Sequence, residues 1–281
     1  MGKRSGVMLC YQFDERRLER WGFPVLVQPK INGVRCRTKI DKVTALTLRS
    51  SEDNEIVSVP HILTEVKHLF SAVPALLDGE LYVHNTPLGD ITSITSRVVN
   101  LHPNHDVIEY HIFDIIDSRA DMSQRAMVML SMQKAIEKYK LRHLKVVPTL
   151  VVTGIDEIMG CKERWVSEGY EGIIIRKYDG KYVEKRSTEI MKSKKRRLTP
   201  AVVLRAIEEE SIHGYKKGTL GAVECVLDDG TIFKVGTGFT AQEREDWWPT
   251  ELLGKTIVVE YQELTAAGVP YAPSFKGVID E

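Results

Sequence analysis

A change of texture between residues 195 and 200 constrains this 281-residue chain more than any other feature. Before it, apolar β runs alternate with helical stretches. After Pro200 the chain becomes short β runs separated by glycine turns, at 202–206, 221–227, 231–235 and 255–263. Asp228-Asp229-Gly230 lies between two of these runs. Asp-Gly there signals a hairpin, because glycine accepts the positive φ of a tight turn. Short strands over such a length suit a small β-barrel of the OB-fold kind. The expectation is an α+β chain in two domains, 1–197 and 198–281.

The first domain has its own pattern. Residues 25–48 alternate and turn like an antiparallel pair, with 44–48 as its second strand. Residues 75–83 and 108–116 read as strands. Residues 123–140 read as the clearest helix, with Ala126, Met129, Leu130, Gln133, Ile136 and Tyr139 near helical spacing. A strand at 146–152, a helix at 156–167 and a buried strand at 171–177 follow. Seven basic residues then cluster at 185–197, while the whole chain balances 39 basic against 39 acidic residues. Any polyanion-binding footprint is therefore local rather than bulk charge. The four cysteines form no C-x-x-C pair, which argues against structural zinc and a disulfide framework and suits a reduced, cytoplasmic setting. The N-terminus lacks an apolar signal core, and no apolar run reaches the roughly 18 residues of a membrane span.

Chemistry concentrates in a few strings. Gln28-Pro29-Lys30-Ile31-Asn32-Gly33-Val34-Arg35 follows the apolar run Val25-Leu26-Val27. A strand holds the Lys30 amine, a glycine lets a nucleotide approach the backbone, and Arg35 offers a planar fork to oxygen. An ordinary polar turn also fits that string alone. Further strings are Leu48-Arg49-Ser50-Ser51, Leu77-Asp78-Gly79-Glu80-Leu81, Tyr110-His111-Ile112-Phe113-Asp114, Glu171-Gly172-Ile173-Ile174-Ile175-Arg176 and Met191-Lys192-Ser193-Lys194. Gly254-Lys255-Thr256 lacks the upstream glycine of a P-loop, His102 to His105 reads as a loop, and Trp247-Trp248 reads as packing or a DNA-facing rim.

In this order the strings resemble the nucleotidyltransferase superfamily of ATP-dependent DNA ligases, RNA ligases and mRNA capping enzymes. The resemblance runs from about residue 20 to 280. Phe233 to Thr240 and Tyr261 to Thr265 look like the OB domain of small phage and bacterial DNA ligases. The resemblance implies that Lys30 attacks the α-phosphate of ATP and becomes Lys-AMP. That attack needs a neutral amine, and nearby cations favour one. It implies that Arg35 and Arg49 meet phosphate or ribose, Glu80 holds the ribose and supports metal, and Phe113 stacks on adenine. It makes Glu171 the second metal carboxylate and gives Lys192 and Lys194 the α-phosphate. Arg186 is a further phosphate candidate, and Gln28 is placed to meet the adenine edge. Mg2+ is the expected metal, with Mn2+ able to substitute. AMP then passes to the 5′-phosphate of nicked double-stranded DNA, and the 3′-hydroxyl displaces it. A monomer is expected.

Two positions depart from the family pattern. Asn32 stands where aspartate is usual. Ile279 stands about where an arginine orients pyrophosphate, so either Lys276 takes that task or self-adenylation is slow. The 29 residues before Lys30 are too few for a nicotinamide-binding domain, which favours ATP as the donor. The short stretch from Gly236 to Lys255 argues against a long DNA-encircling insertion. The rival expectations are an RNA ligase or other covalent nucleotidyltransferase, and a non-catalytic nucleic-acid-binding protein.

Overall fold

A computed structural model of the chain describes residues 6–41, 45–262, 264–265 and 267–279. It divides into two units, Met1–Lys194 and Lys195–Glu281. The division falls just before the expected 197/198 because Arg197 already opens a strand of the second unit. Arg196 also pairs there with Glu260 at 2.7 Å.

The first unit runs β1 (Leu9–Gln12), α1 (Glu15–Trp21), β2 (Val25–Lys30), β3 (Val34–Ile40), β4 (Leu46–Arg49), α2 (Pro60–Ala72), β5 (Leu77–Tyr82) and α3 (Leu88–Thr95). It continues β6 (Glu109–Ile115), α4 (Met122–Tyr139), β7 (Leu144–Val146), β8 (Leu150–Val152), α5 (Ile155–Ser167), β9 (Gly172–Lys177) and β10 (Arg186–Lys194). Two five-stranded sheets result, β1-β10-β9-β2-β8 and β4-β3-β5-β6-β7. Their pairs are antiparallel except β1 with β10 and β6 with β7.

Two expectations are corrected here. Residues 25–48 are not one hairpin: β2 belongs to the first sheet and β3 to the second, so the turn after Lys30 is a crossing between sheets. The partner of β3 is β4, with Arg37 opposite Arg49; Thr44 lies outside the described residues. The expected strand 146–152 is two short strands, one per sheet, because Val147 and Thr149 lie at another crossing. Most of the basic run 185–197 is β10, which lies between β1 and β9.

Alternation along the strands explains how the two sheets make a cleft. In β9, Ile173 and Ile175 face a core shared with Leu18, Ile158 and Trp165 of α1 and α5. Ile174 and Arg176, one residue out of phase, border a cleft. In β2, Val25 and Val27 face that same core, while Gln28 and Lys30 border the cleft. In β5, Leu77 and Leu81 join the larger core formed with α2, α3 and α4, leaving Asp78 and Glu80 for the cleft. Each such buried aliphatic contributes about 1.5–3 kcal/mol. α4 starts on a reciprocal cap: Asp121 accepts from the Gln124 N–H at 3.0 Å and Gln124 accepts from the Asp121 N–H at 2.9 Å.

The second unit runs β11 (Arg197–Glu210), β12 (Lys216–Val226), β13 (Ile232–Val235), α6 (Ala241–Asp246), β14 (Thr256–Tyr261) and β15 (Ser274–Val278). They form one antiparallel sheet, β13-β12-β11-β14-β15. The Asp-Gly hairpin is present, with Val226 opposite Ile232. Among the described residues no ladder joins β13 to β15, so the sheet curls without closing as a barrel. The Phe275 N–H donates to the Thr237 carbonyl at 2.8 Å and draws the two edges together. The rings of Phe239 and Phe275 stack 4.6 Å apart in this unit's core, and Trp247 and Trp248 pack against it. Glu263, Asp280 and Glu281, parts of two expected motifs, lie outside the described residues. Among the described residues no helix is long and apolar enough to cross a membrane.

Candidate active site

The cleft between the two sheets has a volume of about 410 Å³ and is bordered by β1, β2, β3, β5, β6, β9 and β10. Its defining feature is a row across three adjacent strands. Lys30 of β2 is opposite Gly172 of β9, and Gly172 is opposite Lys194 of β10. Glu171 precedes Gly172 and is fixed by its N–H donating to the Lys30 carbonyl at 3.0 Å. One carboxylate oxygen accepts from Lys30 Nζ and the other meets Lys194 Nζ, so the carboxylate bridges two amines. Burial pushes Glu171 upward, but the Lys30 and Lys194 charges outweigh it and hold the carboxyl below its ordinary value. A second row places Gln28, Ile174 and Lys192 side by side. Burial lowers Lys192, with help from the charges of Lys194 and Lys30.

Two glycines permit this spacing. Gly172 has φ +151°, and an added Cβ would lie 2.1 Å from the Ser193 carbonyl oxygen, so only glycine lets β10 bring its lysines so close. Gly33 lies in the crossing after Lys30, where an added Cβ would lie 2.2 Å from the Leu81 carbonyl oxygen and 2.8 Å from Glu80 Cγ. Burial raises Glu80 from 4.5 to about 7, against the opposing charges of Arg35 and Lys30 and a hydrogen bond from the Gly33 N–H.

Phe113 reaches the cleft through a β-bulge. Along β5 and β6, Asp78 pairs with Asp114 and Gly79 with Ile112, leaving Phe113 without a partner in that ladder. The alternation breaks there, so Phe113 and Asp114 both border the cleft. Beneath them lies a buried ionic network that reading the strings did not assign. Arg176 Nη1 donates to Asp114 Oδ2 at 2.6 Å, and Arg125 Nε donates to Asp114 Oδ1 at 2.7 Å. Asp78 accepts from Arg35 Nε at 2.6 Å and from the Tyr182 hydroxyl at 2.7 Å.

The other expected binders are held as follows. Arg35 borders the cleft with its guanidinium forked onto Asp78, and its central carbon sits 4.7 Å from the Phe113 ring centroid. Arg49 does not border the cleft: on edge strand β4 it turns toward Glu55 at 3.4 Å and Thr47 at 3.3 Å. Gln28 is buried, donating from Nε2 to the Phe113 carbonyl and to Thr149 Oγ1, both at 2.9 Å, and accepting from Arg176 Nε at 2.7 Å. Its amide is therefore committed inside the protein. Arg186 borders the cleft and donates to the Cys10 carbonyl at 2.6 Å. In the second unit, Lys276 pairs with Glu260 at 3.2 Å, and the Ile279 side chain is partly exposed at the end of β15. Glu80 and Glu171 border one cleft, yet among the described residues no three His, Cys, Asp or Glu side chains group to hold a metal.

Residues 7–194 match the model of the ATP dependent DNA ligase domain, and residues 213–278 match that of the DNA ligase OB-like domain. The chain belongs to the ATP-dependent DNA ligase family. The DNA ligase of African swine fever virus (strain Badajoz 1971 Vero-adapted) is 28% identical over 262 residues, which is 87% of this chain and 61% of the viral one. The chain thus spans less than two thirds of that relative's length. The DNA ligase of Haemophilus influenzae is 21% identical over 266 residues, 95% of this chain and 89% of its own. A solved Lig E DNA ligase has the same fold, with a TM-score of 0.73 and 21% identity, covering 98% of this chain and 99% of the other.

Proposed function

We propose that this chain is an ATP-dependent DNA ligase that seals nicks in duplex DNA through a Lys30-AMP intermediate. The observation that carries this reading is the row of Lys30, Gly172 and Lys194 with Glu171 bridging the two amines. The Lys30 amine gives up a proton, for which Glu171 is the hydrogen-bonded acceptor. It then attacks the α-phosphorus of ATP, forming the N–P bond as the bond to the β-phosphate breaks and pyrophosphate leaves. A 5′-phosphate oxygen of the nick next attacks the same phosphorus and frees Lys30. The 3′-hydroxyl finally attacks the 5′-phosphorus, forming the phosphodiester and releasing AMP. Lys192 and Lys194 offset the charge that builds on phosphate oxygens in these displacements. Phe113 presents its ring for adenine, and base stacking of this kind contributes about 1–3 kcal/mol.

Two carboxylates without a third fit Mg2+, which keeps several waters and takes its remaining ligands from substrate phosphates. Glu80 and Glu171 would hold it, and Mn2+ suits the same oxygen donors. When bound, the ion neutralises phosphate charge. The reading further includes a monomer acting on nicked duplex DNA in a reducing cytoplasm, consistent with four free cysteines.

The test is incubation with α-labelled ATP and Mg2+, then with a nicked DNA duplex or a nicked RNA duplex. The expected outcome is label on wild-type protein that chases into sealed DNA, and no label on Lys30→Ala. Sealing of RNA alone would replace the DNA ligase reading with an RNA ligase. Absence of label, together with failure to seal a pre-adenylated nick, would leave only a nucleic-acid-binding protein.

A further inference from the structure

A bulge that aims a side chain into a cleft also leaves a carbonyl without a strand partner. At Phe113 two side chains supply what the ladder does not. Gln28 Nε2 donates to the Phe113 carbonyl at 2.9 Å and Arg176 Nη2 donates to it at 3.4 Å. The same guanidinium donates from Nε to Gln28 Oε1 at 2.7 Å and from Nη1 to Asp114 Oδ2 at 2.6 Å. Its central carbon stands 5.8 Å from the Phe113 ring centroid, and Arg176 is 4% exposed. One rigid fork on β9 therefore reaches β2 in its own sheet and the bulge of β6 in the other.

We propose that Arg176 is the positioning residue of the base platform, holding Phe113 and Gln28 across the two sheets so that nucleotide-base affinity depends on it. The inference rests on the adenylation reading given above. Neutralising Asp114 does not by itself explain the arrangement, because Arg125 already pairs with that carboxylate at 2.7 Å. What Arg176 adds is the reach to Gln28 and to the bulged carbonyl. The phosphate end of the cleft is built differently, from amines held in register by strand pairing of β2, β9 and β10. Base and phosphate affinity should therefore separate on substitution of Arg176.

The experiment measures equilibrium binding of ATP and of inorganic tripolyphosphate to the full chain. Arg176→Lys keeps a charge for Asp114 but lacks the planar fork needed to reach three acceptors. ATP affinity is expected to fall about tenfold, as for loss of a base stack, with tripolyphosphate affinity unchanged within about twofold. Phe113→Leu should lose ATP affinity in the same way, and adding Arg176→Lys to it should cost nothing more. Equal losses for both ligands, unchanged ATP affinity, or full additivity in the double variant would overturn the proposal. If Arg176→Lys does not fold, Gln28→Met removes the same strut from its other end and must show the same ATP-selective loss. Labelling of wild-type Lys30 reports the functional reading separately. Label combined with equal losses rejects only the positioning role, whereas ATP-selective loss without label rejects only the ligase reading.

Discussion

Gly172 shows how much of this site is settled by one side chain that is missing. It stands between Lys30 and Lys194 in a single row, with φ +151° and the Ser193 carbonyl 2.1 Å from where a Cβ would be. Alanine there must both strain the backbone and push β10 outward. Gly172→Ala is expected to cost more than about 1 kcal/mol of stability and to reduce Lys30 labelling at least tenfold. Urea unfolding and the labelling assay together check this. Normal labelling with a lowered midpoint would show that the row tolerates displacement. At this scale Lys30, Glu171, Lys192 and Lys194 were legible, because lysines and glutamates flanking apolar β runs announce themselves. Arg176, Asp78 and Asp114 were within quoted strings yet carried no signal of their roles. Their partners lie far away in sequence, as with Arg176 and Gln28 at 148 positions. A charge that ends an apolar strand was the only available hint. For the same reason nothing local announces the fork of Arg35 onto Asp78.

Among the elements, the strands at 172–177 and 109–115 were legible as apolar β-rich runs, and the helix at 122–139 from its spacing. β10 was not, because its inward residues include Ser187 and Ser193, which break the apolar pattern of a buried strand. The bulge in β6 was equally hidden, since it is a relation between two strands. Another inter-element feature predicts pH behaviour. His61 on α2 donates from Nε2 to the Ile108 carbonyl at 3.0 Å, and its ring lies 4.7 Å from that of His143 and 5.5 Å from that of His105. Burial lowers the His61 pKa from 6.5 and the two histidine neighbours lower it further, against the Ile108 hydrogen bond and Glu65. The folded state thus prefers neutral imidazole, so stability is full above the ordinary value and is lost as pH falls below it. The urea midpoint of wild type should fall between about pH 7.5 and about pH 5.5, and His61→Gln should flatten that fall. An unchanged slope in the variant would remove His61 as its source.

Across the whole molecule, acidic and basic residues cancel, yet the basic stretch 185–197 contributes to both units. Binding of a nicked duplex should therefore weaken linearly in log affinity against log salt. A filter-binding series over several salt concentrations checks this, and a flat line would exclude phosphate contacts as the basis of binding. The Glu171 bridge gives this neutrality a further meaning. Lys30 and Lys194 already hold an anion, and it is covalently tethered. On the adenylation reading, an incoming phosphate joins an ion exchanger rather than an empty trap, and must displace a competitor whose local concentration never falls. Dilute single-charge anions such as chloride are poor at such an exchange, while a polyphosphate that engages several lysines at once is good at it. On the adenylation reading, the resting protein thus carries its own filter against the salt in which it works.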